Sequence, residues 1–97
     1  MRRRKCRLRL GFPRGDVDAQ LTTTQLGATA EAVEATLGDI GPFSASPVTF
    51  MLKGIAGRLR ATALSGRGEL SPMQVKALRH ILRRRLPKHP IVTRFKG

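Results

Sequence analysis

The chain is poor in cysteine, in aromatic side chains and in long apolar runs. Cys6 is the only cysteine in 97 residues, so we expect no internal disulfide and no cysteine cluster for zinc, and a reducing, cytoplasmic setting fits best. The chain has four Phe but no Tyr and no Trp, which weakens functions built on stacking of bases against aromatic rings. No apolar run approaches the length of a membrane span, and the Arg-rich start lacks the apolar core of a secretory signal, so no membrane partner is expected.

Acidic side chains are also scarce. Six Asp and Glu stand against nineteen Lys and Arg, which gives a formal net charge of +13. Residues 1–14 hold seven bases and no acid, residues 15–43 hold five acids and no base, and residues 44–97 hold twelve bases with Glu69 as the one acid. A chain that repels itself in this way is expected to have a polyanionic partner, of which nucleic acid is the usual one. With so few carboxylates we expect no catalysis, and therefore no enzyme. We also expect no cofactor and no small-molecule substrate.

Length and composition bound the fold. Ninety-seven residues with 40% hydrophobic side chains fit one small domain with a modest core. The patterns predict a mainly α fold with short terminal β-strands, which is a small α+β domain. We divide the chain into residues 1–14, a basic arm or strand, and residues 15–97, a single small helical nucleic-acid-binding domain.

Both ends of the chain alternate between apolar and polar residues. Residues 5–12 indicate either a half-buried strand with a basic outer face or a flexible basic arm, and the sequence leaves both alternatives open. Residues 91–96 alternate as well, which predicts a second strand that could pair with residues 6–12. Between them, residues 12–16 form a turn and residues 38–46 form a loop.

Three helices are predicted between these ends. The first covers about 29–38, while 18–27 stays open because three threonines and Gly27 disfavour a helix there. The second begins with Ser46 and Pro47 and continues to about residue 64. It carries a strip of small residues, Gly54, Gly57 and Ala61, which predicts a close approach of another backbone. The third covers about 72–86 and begins with a capping box of Ser71 and Gln74.

The third predicted helix is the main candidate for a binding surface. Its apolar residues share one face, and Arg85 lies near that face, from which it is expected to extend to solvent. The opposite face carries five basic side chains: Lys76, Arg79, His80, Arg83 and Arg84. No acid occurs between residues 71 and 97, whereas an ordinary solvated face mixes both signs of charge. The pattern therefore predicts contact with a phosphate backbone.

Further candidates for nucleic-acid contact are less specific. They are Lys53, Arg58 and Arg60 on the second helix and Arg2, Arg3, Arg4 and Lys5 at the N-terminus, for each of which an ordinary surface role is an equal alternative. The two histidines, His80 and His89, have no Cys, Asp or Glu at the spacing of metal ligands, so no metal site is expected. His89 is predicted to be a loop residue between prolines.

Residues 43–97 resemble the core of the FinO/ProQ-type RNA chaperones. The matching residues are Phe43, Gly54-Ile55, Leu70-Ser71, Leu78-Arg79-His80-Ile81-Leu82-Arg83 and Lys96-Gly97. The resemblance implies recognition of structured RNA, at the base of a stem-loop and its single-stranded 3′ tail, with Arg79 and Arg83 as contacts of the basic helix. The sequence departs from the family where Ile91 replaces a tyrosine, and residues 1–42 show no resemblance.

Three functions remain open on the sequence. The first is an RNA chaperone or post-transcriptional regulator that docks structured RNA, with RNA favoured over DNA as partner. The second is a DNA-binding transcriptional regulator in which the helices at 47–64 and 72–86 form a helix-turn-helix-like pair. The third is a basic component of a ribonucleoprotein particle such as the ribosome.

Overall fold

The computed structural model describes residues 5–41 and 46–95 of the chain. Its elements follow in the order β1 (Lys5–Leu10), β2 (Val17–Thr22), α1 (Thr23–Ile40), α2 (Pro47–Ser65), β3 (Arg67–Leu70), α3 (Pro72–Arg85) and α4 (Pro90–Thr93). Helices dominate and accompany one three-stranded sheet, so the expected mainly α, small α+β fold class is confirmed.

Strand β1 is the central strand of the sheet, whose order is β2–β1–β3. It pairs antiparallel with β2 and parallel with β3. Its inward side chains, Cys6, Leu8 and Leu10, are buried in the core, and its outward side chains are basic and exposed. Of the two alternatives for this segment, the half-buried strand is therefore the one observed, and it shares its core with the helices.

Helix α2 packs on the inner face of the sheet, and one glycine shows how close the two are. A Cβ atom on Gly68 in β3 would lie 1.8 Å from Oγ1 of Thr62, so only glycine fits at this position. Gly66 ends α2 with a φ of 86°, in the left-handed region that favours glycine. Gly68, two residues further on, already belongs to β3.

Helices α2 and α3 begin where the sequence predicts. Ser46 Oγ accepts a hydrogen bond from the Thr49 backbone N at 3.3 Å. At the start of α3, Ser71 Oγ accepts from Gln74 N at 3.2 Å and Gln74 Oε1 accepts from Ser71 N at 2.9 Å. These bonds satisfy backbone donors that a helix start leaves open, which is why local sequence marks the two positions.

Helix α1 is longer than predicted. It begins at Thr23 because Thr22 and Gln25 form the same kind of capping box, with distances of 3.1 Å and 2.9 Å between their bonded atoms. The segment 18–27, which the sequence leaves open, is therefore divided between β2 and α1. Leu26, Ala30 and Val33 bury the inner face of the helix in the core.

The strand predicted over 91–96 is wrong for its described part, since Pro90–Thr93 form helix α4. Pro90 occupies the first helical turn, where its missing N–H is not needed, and His89 Nδ1 accepts the Ile91 N–H at 3.1 Å. The buried Ile91 side chain then packs as a helical residue. The partners of β1 are instead β2 and β3.

Two further expectations for α2 are wrong. No close approach explains its glycines: nothing lies within 4 Å of a Cβ at Gly57, and Gly54 would meet only Gln74 Nε2 at 3.9 Å. The pair α2–α3 is also not a helix-turn-helix, because strand β3 lies between the helices and is paired in the sheet.

Candidate nucleic-acid interface

Helix α3 divides its side chains cleanly between the core and solvent. Val75, Leu78 and Leu82 are buried on one face. The opposite face forms what we term the basic ridge, in which Arg79 is half-buried and the other side chains are exposed; the ridge consists of Lys76, Arg79, His80, Arg83 and Arg84. At 1.5 Å per residue the ridge extends about 12 Å along the helix axis.

Three of the six acidic side chains form ion pairs away from the ridge. Asp18 pairs with Arg9 at 3.5 Å, Glu34 pairs with Arg60 at 2.6 Å, and Asp39 pairs with Arg85. Within the described residues, no member of the basic ridge forms an ion pair. The ridge therefore keeps its positive charge, while three other arginines have theirs compensated locally.

Arg85 leaves the apolar side of α3 as the sequence predicts, but it has specific partners. Its Nε donates to Thr36 Oγ1 at 2.9 Å, and Nη2 pairs with Asp39 Oδ2. Both partners lie near the end of α1, so this side chain fixes α3 against α1 and does not belong to the ridge.

A cavity of about 280 Å³ lies along one flank of the ridge. Its lining combines apolar side chains, including Phe12, with the cations Lys76, Arg79 and Arg83. Gly11 brings the turn after β1 to this place: its N–H donates to the Leu70 carbonyl at 3.0 Å, and a Cβ here would lie 2.8 Å from the Pro72 side chain. The close approach of a backbone without a side chain therefore shapes the cavity.

Arg79 has the one polar side-chain atom in residues 5–41 and 46–95 that is buried without a hydrogen-bond partner, its Nε. An unpaired buried donor costs about 1–3 kcal/mol. Arg79 also lines the cavity beside the ridge.

A second, wider groove of about 620 Å³ follows the other flank of the ridge. Its lining is mostly apolar and comes from α1, α2 and α3; it includes Ile40, Val48, Met51, Met73 and Ala77. Lys76, His80 and Arg83 also border it. The ridge is thus a raised line of charge between two concave surfaces.

The candidates on α2 do not join the ridge as a group. Arg60 hydrogen-bonds to Glu34 of α1, and this bond and the nearby negative charge raise the pKa of Arg60. Arg58 Nη1 donates to the carbonyl of Glu69 in β3 at 3.5 Å. Lys53 is exposed on α2. Arg60 is therefore directed at α1, where a carboxylate compensates its charge.

The one N-terminal candidate that the structure describes, Lys5, lies in the sheet and not on α3. Arg2, Arg3 and Arg4 lie outside the described residues, and Lys5 begins β1, where it is exposed. Sequence reasoning missed Arg67 as a neighbour of this segment. No local signal identifies it, because it reaches β1 only through the pairing of β3 with β1.

His89 is a buried structural residue, not a simple loop residue. Its Nε2 lies 2.7 Å from Thr29 Oγ1 in α1, and its Nδ1 accepts the backbone N–H of Ile91. Burial lowers the pKa of His89. The imidazole links α4 to α1 and is separate from the ridge, to which His80 belongs.

Two kinds of feature are absent from the part of the chain that the structure describes. It holds no group of three or more His, Cys, Asp or Glu side chains placed to bind a metal ion. None of its helices combines the length and the apolar character needed to cross a bilayer.

Comparison with protein-family models, with curated proteins and with solved structures finds no match to this chain. The resemblance to the FinO/ProQ-type chaperones therefore stays a prediction from the residues that carry it, of which Phe43 and Lys96-Gly97 lie outside the described residues. Ile91, at the position of the family's tyrosine, is completely buried. A direct contact of this side chain with an RNA tail is thus not expected.

Proposed function

We propose that the protein binds RNA through the basic ridge of α3 and acts as an RNA chaperone or a post-transcriptional regulator. The observation that carries the proposal is the charge arrangement: three of the six acids pair with Arg9, Arg60 and Arg85, while no cation of the ridge forms an ion pair within the described residues. Unpaired cations on a rigid helix attract phosphates, because binding releases the counterions condensed on the nucleic acid.

The size of the ridge suits a short stretch of phosphate backbone. Over about 12 Å of axis a duplex carries roughly seven phosphate charges, more than the four permanent cations of the ridge require. Each phosphate contact contributes about 0.7 to 0.9 to the slope of log affinity against log salt. Binding through Lys76, Arg79, Arg83 and Arg84 should therefore be strongly dependent on salt.

The side chains of α3 favour RNA over DNA as the partner. The only Gln on α3, Gln74, is engaged in the capping box, and the helix has no Asn to recognise adenine in a major groove. Lys and Arg side chains recognise backbone and shape, which is the usual way in which A-form RNA is bound. The strand between α2 and α3 also removes the helix-turn-helix arrangement on which the DNA alternative was based.

The test compares two triple variants that each remove one lysine and two arginines. The ridge variant carries Lys76→Gln, Arg83→Gln and Arg84→Gln. Three lost phosphate contacts should weaken binding of stem-loop RNA about 100-fold at 0.15 M salt. Affinities are measured for stem-loop RNA, duplex RNA, duplex DNA and single strands, and circular dichroism checks that each variant is folded.

The matched control carries Lys53→Gln, Arg58→Gln and Arg60→Gln on α2. It changes the net charge equally, so a purely nonspecific charge effect would weaken both variants alike. We expect the control to lose less than about tenfold in affinity. Equal losses in the two variants, or duplex DNA that competes as well as stem-loop RNA, would contradict the proposal.

A further inference from the structure

The outer face of the sheet carries a second group of cations. Arg7 on β1 and Arg67 on β3 are register partners, and both side chains are exposed on the face opposite the helices. Neighbouring strands are about 4.8 Å apart, so the two guanidinium groups extend from adjacent backbone positions. Like charges placed directly opposite each other destabilise a sheet. The packing of the inner face, through Leu8 and Leu70, does not require either arginine.

Lys5 and Gln20 complete this cluster. Together with Arg7 and Arg67 they line a shallow cavity of about 250 Å³ beside Gly66. In the described ranges, none of the three cations has an ion pair or a side-chain hydrogen bond. Guanidinium groups offer several N–H donors in a fixed plane, which suits phosphate oxygens. An anion at this place would also compensate the repulsion between the two arginines.

Acidic residues separate the cluster from the basic ridge. Arg9 is flanked on the outer face by Asp18 of β2 and Glu69 of β3, its register partners. This acidic interruption lies between the arginine pair and the end of the sheet where α3 begins. From Arg7 to Gly11 the chain advances four residues, or about 13 Å. The two basic surfaces are therefore distinct.

We propose that Lys5, Arg7 and Arg67 form a second phosphate-binding site that holds the backbone of another polynucleotide strand. Three unpaired cations around a polar cavity are complementary to a phosphodiester chain in charge and in hydrogen bonding. One molecule then binds two strands, one on the ridge and one on the sheet, and brings them together for base pairing. The phosphate site stands on its own observations, whereas this annealing activity rests on the proposed function of the ridge.

The experiment measures annealing of two complementary RNA strands by fluorescence energy transfer. The wild-type chain should accelerate annealing about tenfold or more over protein-free RNA. The variant with Arg7→Gln and Arg67→Gln should lose that acceleration while it still binds a single stem-loop within about threefold of wild type. The control with Arg9→Gln and Arg60→Gln removes two arginines whose charge is already compensated, and it should anneal like wild type.

The outcomes separate the two proposals. If the Arg7→Gln, Arg67→Gln variant anneals RNA as fast as wild type, the second site is overturned and the proposal for the ridge is unaffected.

If the ridge variant keeps full stem-loop binding, the proposed function fails. The sheet site is then tested with tripolyphosphate in a chain that carries the three ridge substitutions. A rise in melting temperature that disappears when Arg7 and Arg67 are also replaced supports the phosphate site, and no such rise overturns it. Binding to phosphatidylserine vesicles through the two arginines, without annealing, overturns the assignment to RNA.

Discussion

His89 should make the stability of the fold depend on pH, and the structure gives the direction. Thr29 Oγ1 donates to the Gln25 carbonyl at 2.6 Å, so it accepts the bond from His89 Nε2 at 2.7 Å. The Ile91 N–H donates to Nδ1 of the same ring. The site therefore requires a neutral imidazole with its proton on Nε2. A second proton on Nδ1 would face the Ile91 N–H and break that hydrogen bond.

The sign of the effect follows from the pKa. Burial lowers the pKa of His89 in the folded chain below its ordinary value of about 6.5 in an unfolded one. At pH values below 6.5 the unfolded state binds more protons than the folded state, which destabilises the folded chain. The stabilising contribution of the neutral His89 ring is therefore complete above pH 6.5 and is lost as pH falls toward the folded-state pKa of His89. One such group changes the free energy of unfolding by at most about 1.4 kcal/mol per pH unit.

Urea denaturation of wild type between pH 8 and pH 5 measures this loss directly. In the His89→Asn variant the amide oxygen can still accept the Ile91 N–H, but the group no longer titrates. That variant should be less stable at pH 8 and should show a flatter dependence below pH 6.5. Equal slopes for wild type and His89→Asn between pH 6.5 and pH 5.5 would refute the reasoning.

Three further predictions concern stability and are measured by urea denaturation. Thr22→Ala removes the cap of α1 and should lower the free energy of unfolding by about 1 kcal/mol; an unchanged value would mean that the capping box contributes nothing. Gly57→Ala, at an exposed helical position with open space around it, should raise the free energy by about 1 kcal/mol, and a loss would reveal a contact that the structure does not have. Gly68→Ala should be strongly destabilising, because its Cβ would lie 1.8 Å from Thr62 Oγ1, and wild-type stability would contradict that packing.

The start of a helix can be predicted from the sequence where its capping hydrogen bonds join residues that are close together in the chain. The bonds of Ser46 and Ser71 involve residues three positions away, so the sequence marks both positions. Thr22 and Gln25 have the same spacing and could have identified the start of α1. A run of threonines disfavours a helix, which is why the sequence leaves 18–27 open, whereas in the structure the first of them ends β2 and serves as the cap.

Features that depend on distant pairing were not accessible from the sequence. Strand β3 has four residues, and what makes it a strand is its parallel register with β1. The ion pair of Arg60 with Glu34 joins residues 26 positions apart, and that of Arg85 with Asp39 joins residues 46 apart. The composition showed that acids are few. The structure shows which bases they compensate, and hence which bases remain available.

The ridge on α3 was the part of the candidate site that the sequence could predict, since helical spacing alone places its five residues on one face. The candidates on α2 could not be sorted in the same way. The sequence places Arg58 and Arg60 on opposite flanks of α2 without indicating which flank faces α3. In the folded chain Arg60 bonds to Glu34 and Arg58 donates to the Glu69 carbonyl. The spacing of residues within one helix does not indicate which carboxylates or carbonyls of a neighbouring element lie beside them.

The most direct test of the account compares the salt dependence of stem-loop RNA binding in Arg83→Gln and Arg60→Gln. Each variant removes one arginine, but Arg83 is unpaired on the ridge, whereas Arg60 is bound to Glu34 at 2.6 Å. Arg83→Gln should reduce the slope of log affinity against log salt by about 0.7 to 0.9, and Arg60→Gln should leave it near the wild-type value. An unchanged slope for Arg83→Gln, or an equal reduction in both variants, would contradict the claim that the ridge of α3 contacts the phosphates.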